Sequence, residues 1–511
     1  MKKRLLQLLS LVMVLVCLTA CGKETGSAGN ADASGSGETL SGTVTDATTD
    51  SLLAENEPAP TPGTTPTPIA PPSEEKQAFY DSLLADRDIP IISIYTKDRA
   101  EVLSLEEYVD CVVDVINCDE AFALNEVPAG IRVRGNSSAY YGDVEKIREF
   151  KAPYRIKFEE KQSMLGLNDG AECKSWVLLK TDHHLIANDI ALRMGRAILG
   201  DHAYCSDSTF VHVFINEEFH GVYLLCEQNQ VNENRVDITE PEEDYRGTDI
   251  GYYMEIDNYV WNEPDSIYFT HTYADGSITD IEGVTRSFAP AEYSLKNDVT
   301  DDAQPEFIGR YMNNLFTALY EACVNDTYFT LDENGELIPS DYTSSYEVAD
   351  ALLDLESVVN MYILHEIVHS YDCGEGSFYM CIDFSPESQC KKLQFTSPWD
   401  FNWAYEGEPT DQYYAGAFCS QEFMESAGDR SNPWFVLLMT EDWFVDMVSE
   451  KWTALHNAGA IEACLAAEEE YLLTYEQDML YAQEDALVYA SALLDWVRTR
   501  VVWLDEEWVI E

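Results

Sequence analysis

Residues Tyr362–Trp403 read YILHEIVHSYDCGEGSFYMCIDFSPESQCKKLQFTSPWDFNW. Apolar residues at helical spacing carry the chain from Leu352 to Ser370. Ser377–Ile382 and Lys392–Phe395 then read as two strands around a turn. They lead into the acidic loop Pro398-Trp399-Asp400-Phe401-Asn402. Helix, strand pair and acidic loop in one segment indicate an α+β chain whose chemistry sits at the ends of its elements.

Two chemistries compete for this segment. His365-Glu366-Ile367-Val368-His369 is a literal HExxH. On a helix, residues i and i+4 share a face, so both imidazoles could ligate one zinc while Glu366 serves as general base. No metzincin extension follows, so a third ligand would come from an acid such as Asp383. The second reading pairs Asp372, at the helix end, with Asp400, beyond the strand pair. An acid after a helix, a hairpin, then an acid before an aromatic is the layout of a kinase catalytic loop followed by its magnesium loop.

Outward from this segment the two halves differ. Residues 76–300 carry strand signals: Gly130–Arg134 and Tyr154–Phe158 alternate, and Val211–Ile215 with Val222–Cys226 form a hairpin. His184–Leu199 is helical and ends at Gly200. Residues 301–511 are mostly helical, with 3.6-type periodicity in Phe307–Val324, Pro433–His456, Ala460–Thr474 and Asp485–Trp508.

The first 21 residues read as an address. Lys2-Lys3-Arg4 precede the apolar run Leu5–Leu18, which is short for a span. Leu18-Thr19-Ala20-Cys21 matches a bacterial lipobox, so Cys21 is the expected lipidation site. This predicts export and anchoring to the outer face of the cell membrane by lipid alone. Residues 22–75 are a Gly/Ser/Thr/Pro tether with no expected structure. Thirteen cysteines less Cys17 and Cys21 leave eleven, an odd number, and no CxxC occurs. Cys373, Cys381 and Cys390 could include one disulfide, or all be buried thiols.

Composition narrows the partners. With 31 Lys+Arg against 93 Asp+Glu, the net charge is −62, which opposes nucleic acid and anionic membrane surfaces. A hydrophobic fraction of 46% supports a sizeable core. A nucleotide site must then be a local basic island. Arg132, Arg134, Lys146, Arg148, Lys151, Arg155, Lys157 and Lys161 supply one, and alternation puts Arg155 and Lys157 on one strand face. They are expected to line a cleft facing Asp400. Lys157 is a candidate phosphate ligand, as are Arg134 and Asn136 in their glycine-containing turn. Glu227 either approaches the nucleotide or pairs with Arg235.

An ordered series of motifs resembles the CotH family of atypical secretory kinases, named for spore coat protein H. It runs through Arg134–Ser138, Lys151–Phe158, Leu165–Leu167, Trp176–Leu179, Phe214–Asn216, Gly221–Leu225, Glu227-Gln228, Asn234–Ile238, Ser377–Tyr379 and Pro398–Phe401. The resemblance implies a two-lobed, diverged protein-kinase-like fold. It implies Mg²⁺-dependent transfer of phosphate from ATP to Ser or Thr of extracellular, surface or coat proteins. It assigns Asp372 to the catalytic loop and Asp400 to the metal, and makes the HExxH an ordinary helix. The family commonly has a second Asp two residues after the first; here that metal position is Asn402, whose amide oxygen is an uncharged ligand. A non-catalytic surface scaffold that keeps the fold is the alternative, and an HExxH zinc protease a further one.

Overall fold

The computed structural model describes residues 73–180, 184–260, 266–274, 276–370, 372–388, 390–405, 407–410, 412–418 and 431–510. The signal segment, Cys21 and nearly all of the tether lie outside them. Among the described residues no helix is long and apolar enough to cross a membrane.

Seven strands close a barrel: β1 (Ile91–Thr96), β2 (Val109–Ile116), β3 (Leu124–Val133), β4 (Tyr154–Gln162), β5 (Cys173–Leu179), β6 (Ser208–Ile215) and β7 (Glu218–Glu227). Their order around the barrel is β1-β2-β3-β4-β5-β7-β6. Every neighbouring pair is antiparallel except β1 and β6, which pair in parallel from Ile91↔His212 to Ile94↔Ile215. Asn216 and Glu217 join β6 to β7 with both φ angles positive, 52° and 69°, the geometry of a two-residue type I′ turn. Asn216 Oδ1 also accepts from Thr96 N at 3.0 Å, fastening the turn to β1.

Alternation decides which side chains fill the barrel. Ile131, Val133, Ile156, Trp176, Leu178, Val213 and Leu225 are buried inside it. Each such aliphatic side chain contributes about 1.5–3 kcal/mol. The intervening residues Val177, Leu179, Leu224 and Cys226 point outward into a second, larger core.

That core is built on the five-stranded sheet β16-β15-β8-β12-β9. Its strands are β8 (Gly251–Ile256), β9 (Tyr268–His271), β12 (Ala291–Leu295), β15 (Phe378–Asp383) and β16 (Gln394–Thr396), so it joins chain from both sides of residue 300. Two small ribbons, β10–β11 (Ile278–Thr279, Thr285–Arg286) and β13–β14 (Phe329–Leu331, Leu337–Pro339), lie apart from it. The helix His184–Leu199 packs against Leu355–Val368 and Ala460–Thr474. In Leu355–Val368 every residue but Glu356 is buried, as a helix without a polar face must be.

The α+β expectation holds. The N-terminal half, however, is not an ordinary kinase lobe, because the β1–β6 pairing closes it into a barrel. Helix ends also shift: Pro433–His456 is two helices, Pro433–Leu438 and Asp442–Ala458, parted at Met439–Glu441.

Candidate functional site

β15 and β16 pair antiparallel, Tyr379↔Thr396 through Cys381↔Gln394. An antiparallel pair returns the chain to the end at which it began. The turn Asp372–Gly376 that enters β15 and the Pro398–Asn402 loop that leaves β16 therefore lie at the same end of the hairpin. In the entering turn Asp372 O accepts from Glu375 N at 2.8 Å and from Gly376 N at 2.9 Å.

Asp400 sits in the left-handed region, φ 56° and ψ 72°. Asp tolerates this conformation better than most residues, at roughly 1–2 kcal/mol. Its carboxylate accepts from Asn402 N at 3.4 Å and opens the short turn Phe401–Trp403. Burial raises its pKa, against the opposing pull of the Arg134 guanidinium and the Asn402 amide.

Asp400, Asn402 and Trp399 line a small cleft together with Arg134, Ser138, Leu179 and Asn188. Arg134 lies over the Trp399 ring, 5.9 Å from its centroid. Its turn needs Gly135: φ is 98°, and a Cβ there would fall 2.4 Å from Ser138 Oγ. Asn188, from helix His184–Leu199, fixes the loop twice. Its Nδ2 donates to Asn402 Oδ1 at 2.9 Å, and its Oδ1 accepts from Phe401 N at 2.9 Å.

Asn188 is the residue that sequence reading missed. The available signal was a polar residue on the apolar face of an amphipathic helix, three after Leu185 and four before Leu192. Arg155 Nε and Asn229 Oδ1 are buried and have no hydrogen-bond partner among the described residues. Asn229 Nδ2 meanwhile donates to Ser397 O at 3.3 Å, three residues before Asp400.

The structure thus brings Arg134, Asp400 and Asn402 together, and leaves the other candidates outside the cleft lining. Asn136 precedes the turn Ser137–Gly142, its carbonyl accepting from Ala139 N and Tyr141 N. Lys157 is exposed on β4, opposite Gly130 and Ser175. Glu227 is buried against Arg235, Oε1 to Nε 3.2 Å, with neither side chain exposed. Burial raises the Glu227 pKa.

The basic island does not converge on Asp400. Of its eight residues only Arg134 lines the cleft. Lys146, Arg148, Lys151 and Lys161 pair with Asp143, Glu101, Glu218 and Glu233. Arg132 donates to Leu105 O and Val133 O. Arg155 is held by Ser175 Oγ at 3.3 Å, and burial, with Arg132, Arg134 and Arg235 nearby, lowers its pKa. Neighbouring acids satisfy four of the eight cations.

The HExxH is occupied by the core. The helix ends at Val368, and His369 turns into the left-handed region at φ 46°, so the shared helical face is lost. The His369 ring stacks on Tyr414 at 4.5 Å. His365 lies among Phe378, Phe401 and Phe435, and burial lowers its pKa to about 3. Glu366 is saturated: it binds Arg500 Nη2 at 2.5 Å and accepts from the backbone N–H groups of Tyr414, Ala415 (2.9 Å) and Gly416 (3.1 Å). Asp383, the proposed third zinc ligand, instead accepts from Thr239 N and Ser385 N, each at 2.8 Å.

Among the described residues no group of three or more His, Cys, Asp or Glu could hold a metal unaided. The cleft offers one carboxylate and one amide oxygen, both hard ligands. That set suits a magnesium ion whose remaining ligands are phosphate and water oxygens. No curated protein matches the chain. A profile described as CotH kinase protein matches residues 131–463, about two thirds of the chain and the whole of this cleft. The chain belongs to the CotH kinase family.

Proposed function

We propose that this protein transfers phosphate from ATP to Ser or Thr side chains of extracellular or surface proteins. In this reading the barrel and the helical region act as the two lobes of a diverged kinase, carried on the outer face of the cell membrane by lipid on Cys21. The supporting observation is Asp400: a partly buried carboxylate in a strained backbone conformation, with one long hydrogen bond among the described residues, lining a cleft with Arg134. ATP would supply the phosphoryl group, and Mg²⁺ would screen its charge. Asp400 and the Asn402 amide oxygen would hold the metal. Arg134 would contact phosphate, pre-oriented by Trp399. Asp372, at the same end of the hairpin, would orient the acceptor hydroxyl and take its proton. The cleft has room for about one water-sized species. It suits the metal ion, with the nucleotide beyond it. Asn136, Lys157 and Glu227 remain candidates for that outer part.

The test is incubation of the purified full-length chain with Mg²⁺, radiolabelled ATP and Ser-rich acceptor proteins. Incorporation should be abolished by Asp372→Ala and by Asp400→Ala. No incorporation into any acceptor, or incorporation surviving both substitutions, would overturn the reading.

A second reading, a surface scaffold without catalysis, draws on Asn402, which replaces a charged ligand and already shares its oxygen with Asn188. Calorimetry separates the two, since a scaffold would show no Mg²⁺-dependent nucleotide binding.

A further inference from the structure

The same hairpin carries a feature that phosphoryl transfer does not use. The ten described cysteines are all thiols. Cys381, in β15, and Cys390, in the connection to β16, have their sulfurs 3.8 Å apart, in van der Waals contact. The backbone already holds the two ends: Asp383 N donates to Cys390 O at 2.7 Å, and Cys390 N to Ser388 Oγ at 2.9 Å. Joining the sulfurs needs side-chain rotation rather than movement of strands. Access is asymmetric. Cys381 is 1% exposed on an interior strand of the sheet, whereas Cys390 is partly exposed beside the surface turn Pro386–Glu387.

We propose that Cys381 and Cys390 are a redox pair that forms an intrachain disulfide across the β15–β16 hairpin. The oxidant is a low-molecular-weight disulfide. The Cys390 thiolate attacks one oxidant sulfur, forming a mixed disulfide and expelling one small thiol. The Cys381 sulfur then attacks Cys390, forming the Cys381–Cys390 bond and expelling the second small thiol. Two protein thiols lose two electrons and two protons, and one oxidant disulfide becomes two thiols. The cross-link closes residues 382–389 into a loop and fixes the hairpin register. Register matters here because Asp372 and Asp400 leave from the hairpin's other end, and a one-residue slip would invert the strand that delivers Asp400.

The proposal is independent of kinase activity, and so is its test. The reduced full-length chain is treated with excess oxidised glutathione, quenched by alkylation, digested and weighed by mass spectrometry. The expected product is a 381–390 cross-linked peptide pair, two hydrogens lighter than the reduced pair. The Cys381→Ser variant should stop at a stable glutathione adduct on Cys390, and Cys390→Ser should leave Cys381 unmodified in the folded protein. Oxidation should raise the melting temperature of the parent by about 1–4 °C and that of neither variant. Persistence of the glutathione adduct on Cys390 in the parent, pairing of either residue with another cysteine such as Cys373, or no reaction at Cys390 would each overturn it.

Discussion

Glu366, fully buried, and Asp400, partly buried, are both acids at the ends of core elements, and they are treated in opposite ways. Glu366 accepts three backbone N–H groups and a guanidinium. Arg500, its partner, also donates to the carbonyls of Glu366, Pro409 and Gln412. Between them they pin the chain that follows Asp400 to the buried helix and to the C-terminal helix Ala486–Trp508. Among the described residues Asp400 has a single 3.4 Å hydrogen bond, from its own turn, in a left-handed conformation. A carboxylate with every lone pair engaged builds structure. One that is partly buried, strained and sparsely bonded by the protein is available for something else.

The largest expected effect would break the comparison if it failed. Glu366→Ala removes the carboxylate that neutralises Arg500 in the core, and should cost about 3–5 kcal/mol in denaturant unfolding. Asp400→Ala removes a carboxylate that burial already disfavours, so stability should change by less than about 1 kcal/mol, or rise. If Asp400→Ala destabilised more than Glu366→Ala, the roles would be reversed.

Function should follow the opposite ranking. Asp400→Ala should reduce phosphate incorporation by about 10²–10³-fold or more at unchanged fold, read by circular dichroism beside the radiolabel assay. Asn188→Ala sharpens the point one step further out. It frees the Asn402 amide and the Phe401 N–H, and should cost about 10-fold in Mg²⁺-dependent nucleotide affinity by calorimetry. Asn402→Asp should act in the other direction, tightening Mg²⁺ binding by adding a charged ligand.

The same contrast explains what the sequence could and could not show. The β6–β7 hairpin and the helices His184–Leu199 and Ala460–Thr474 were legible because alternation and 3.6-residue spacing are local patterns. Barrel closure was not: Ile91–Ile94 pairs in parallel with His212–Ile215, more than a hundred residues away, and no local pattern encodes a parallel partner. Asp400, Asn402 and Arg134 could be found from motif and chemistry together. The island of eight cations misled because sequence shows where cations are, not that Glu101, Glu218 and Glu233 meet Arg148, Lys151 and Lys161 first. HExxH could stand as a competing reading for a related reason. Spacing places two His on one face only if the helix continues, and this one stops at Val368.

The smallest prediction concerns His365, the loudest residue of that motif. Its ring nitrogens have no hydrogen-bond partner among the described residues, and the rings of Phe378, Phe401 and Phe435 surround it. Burial holds its pKa near 3, below the ordinary 6.5. The unfolded chain therefore takes up a proton at this residue as pH falls below about 6.5, while the folded chain does not. Folding stability at this position is complete above pH 6.5 and drains away toward pH 3, by about 1.4 kcal/mol per pH unit. His365→Leu keeps an apolar side chain of similar size and removes that proton. At pH 7 its unfolding free energy should lie within about 1 kcal/mol of the parent's. By pH 5.5 it should have gained about 1.4 kcal/mol on the parent, as the parent alone loses stability to acid. Phosphate incorporation and bound zinc, measured at pH 7, should not change. A difference between the two proteins that stays flat from pH 7 to 5.5 would mean His365 is not held neutral by burial, and a fall in bound zinc would return the HExxH to chemistry.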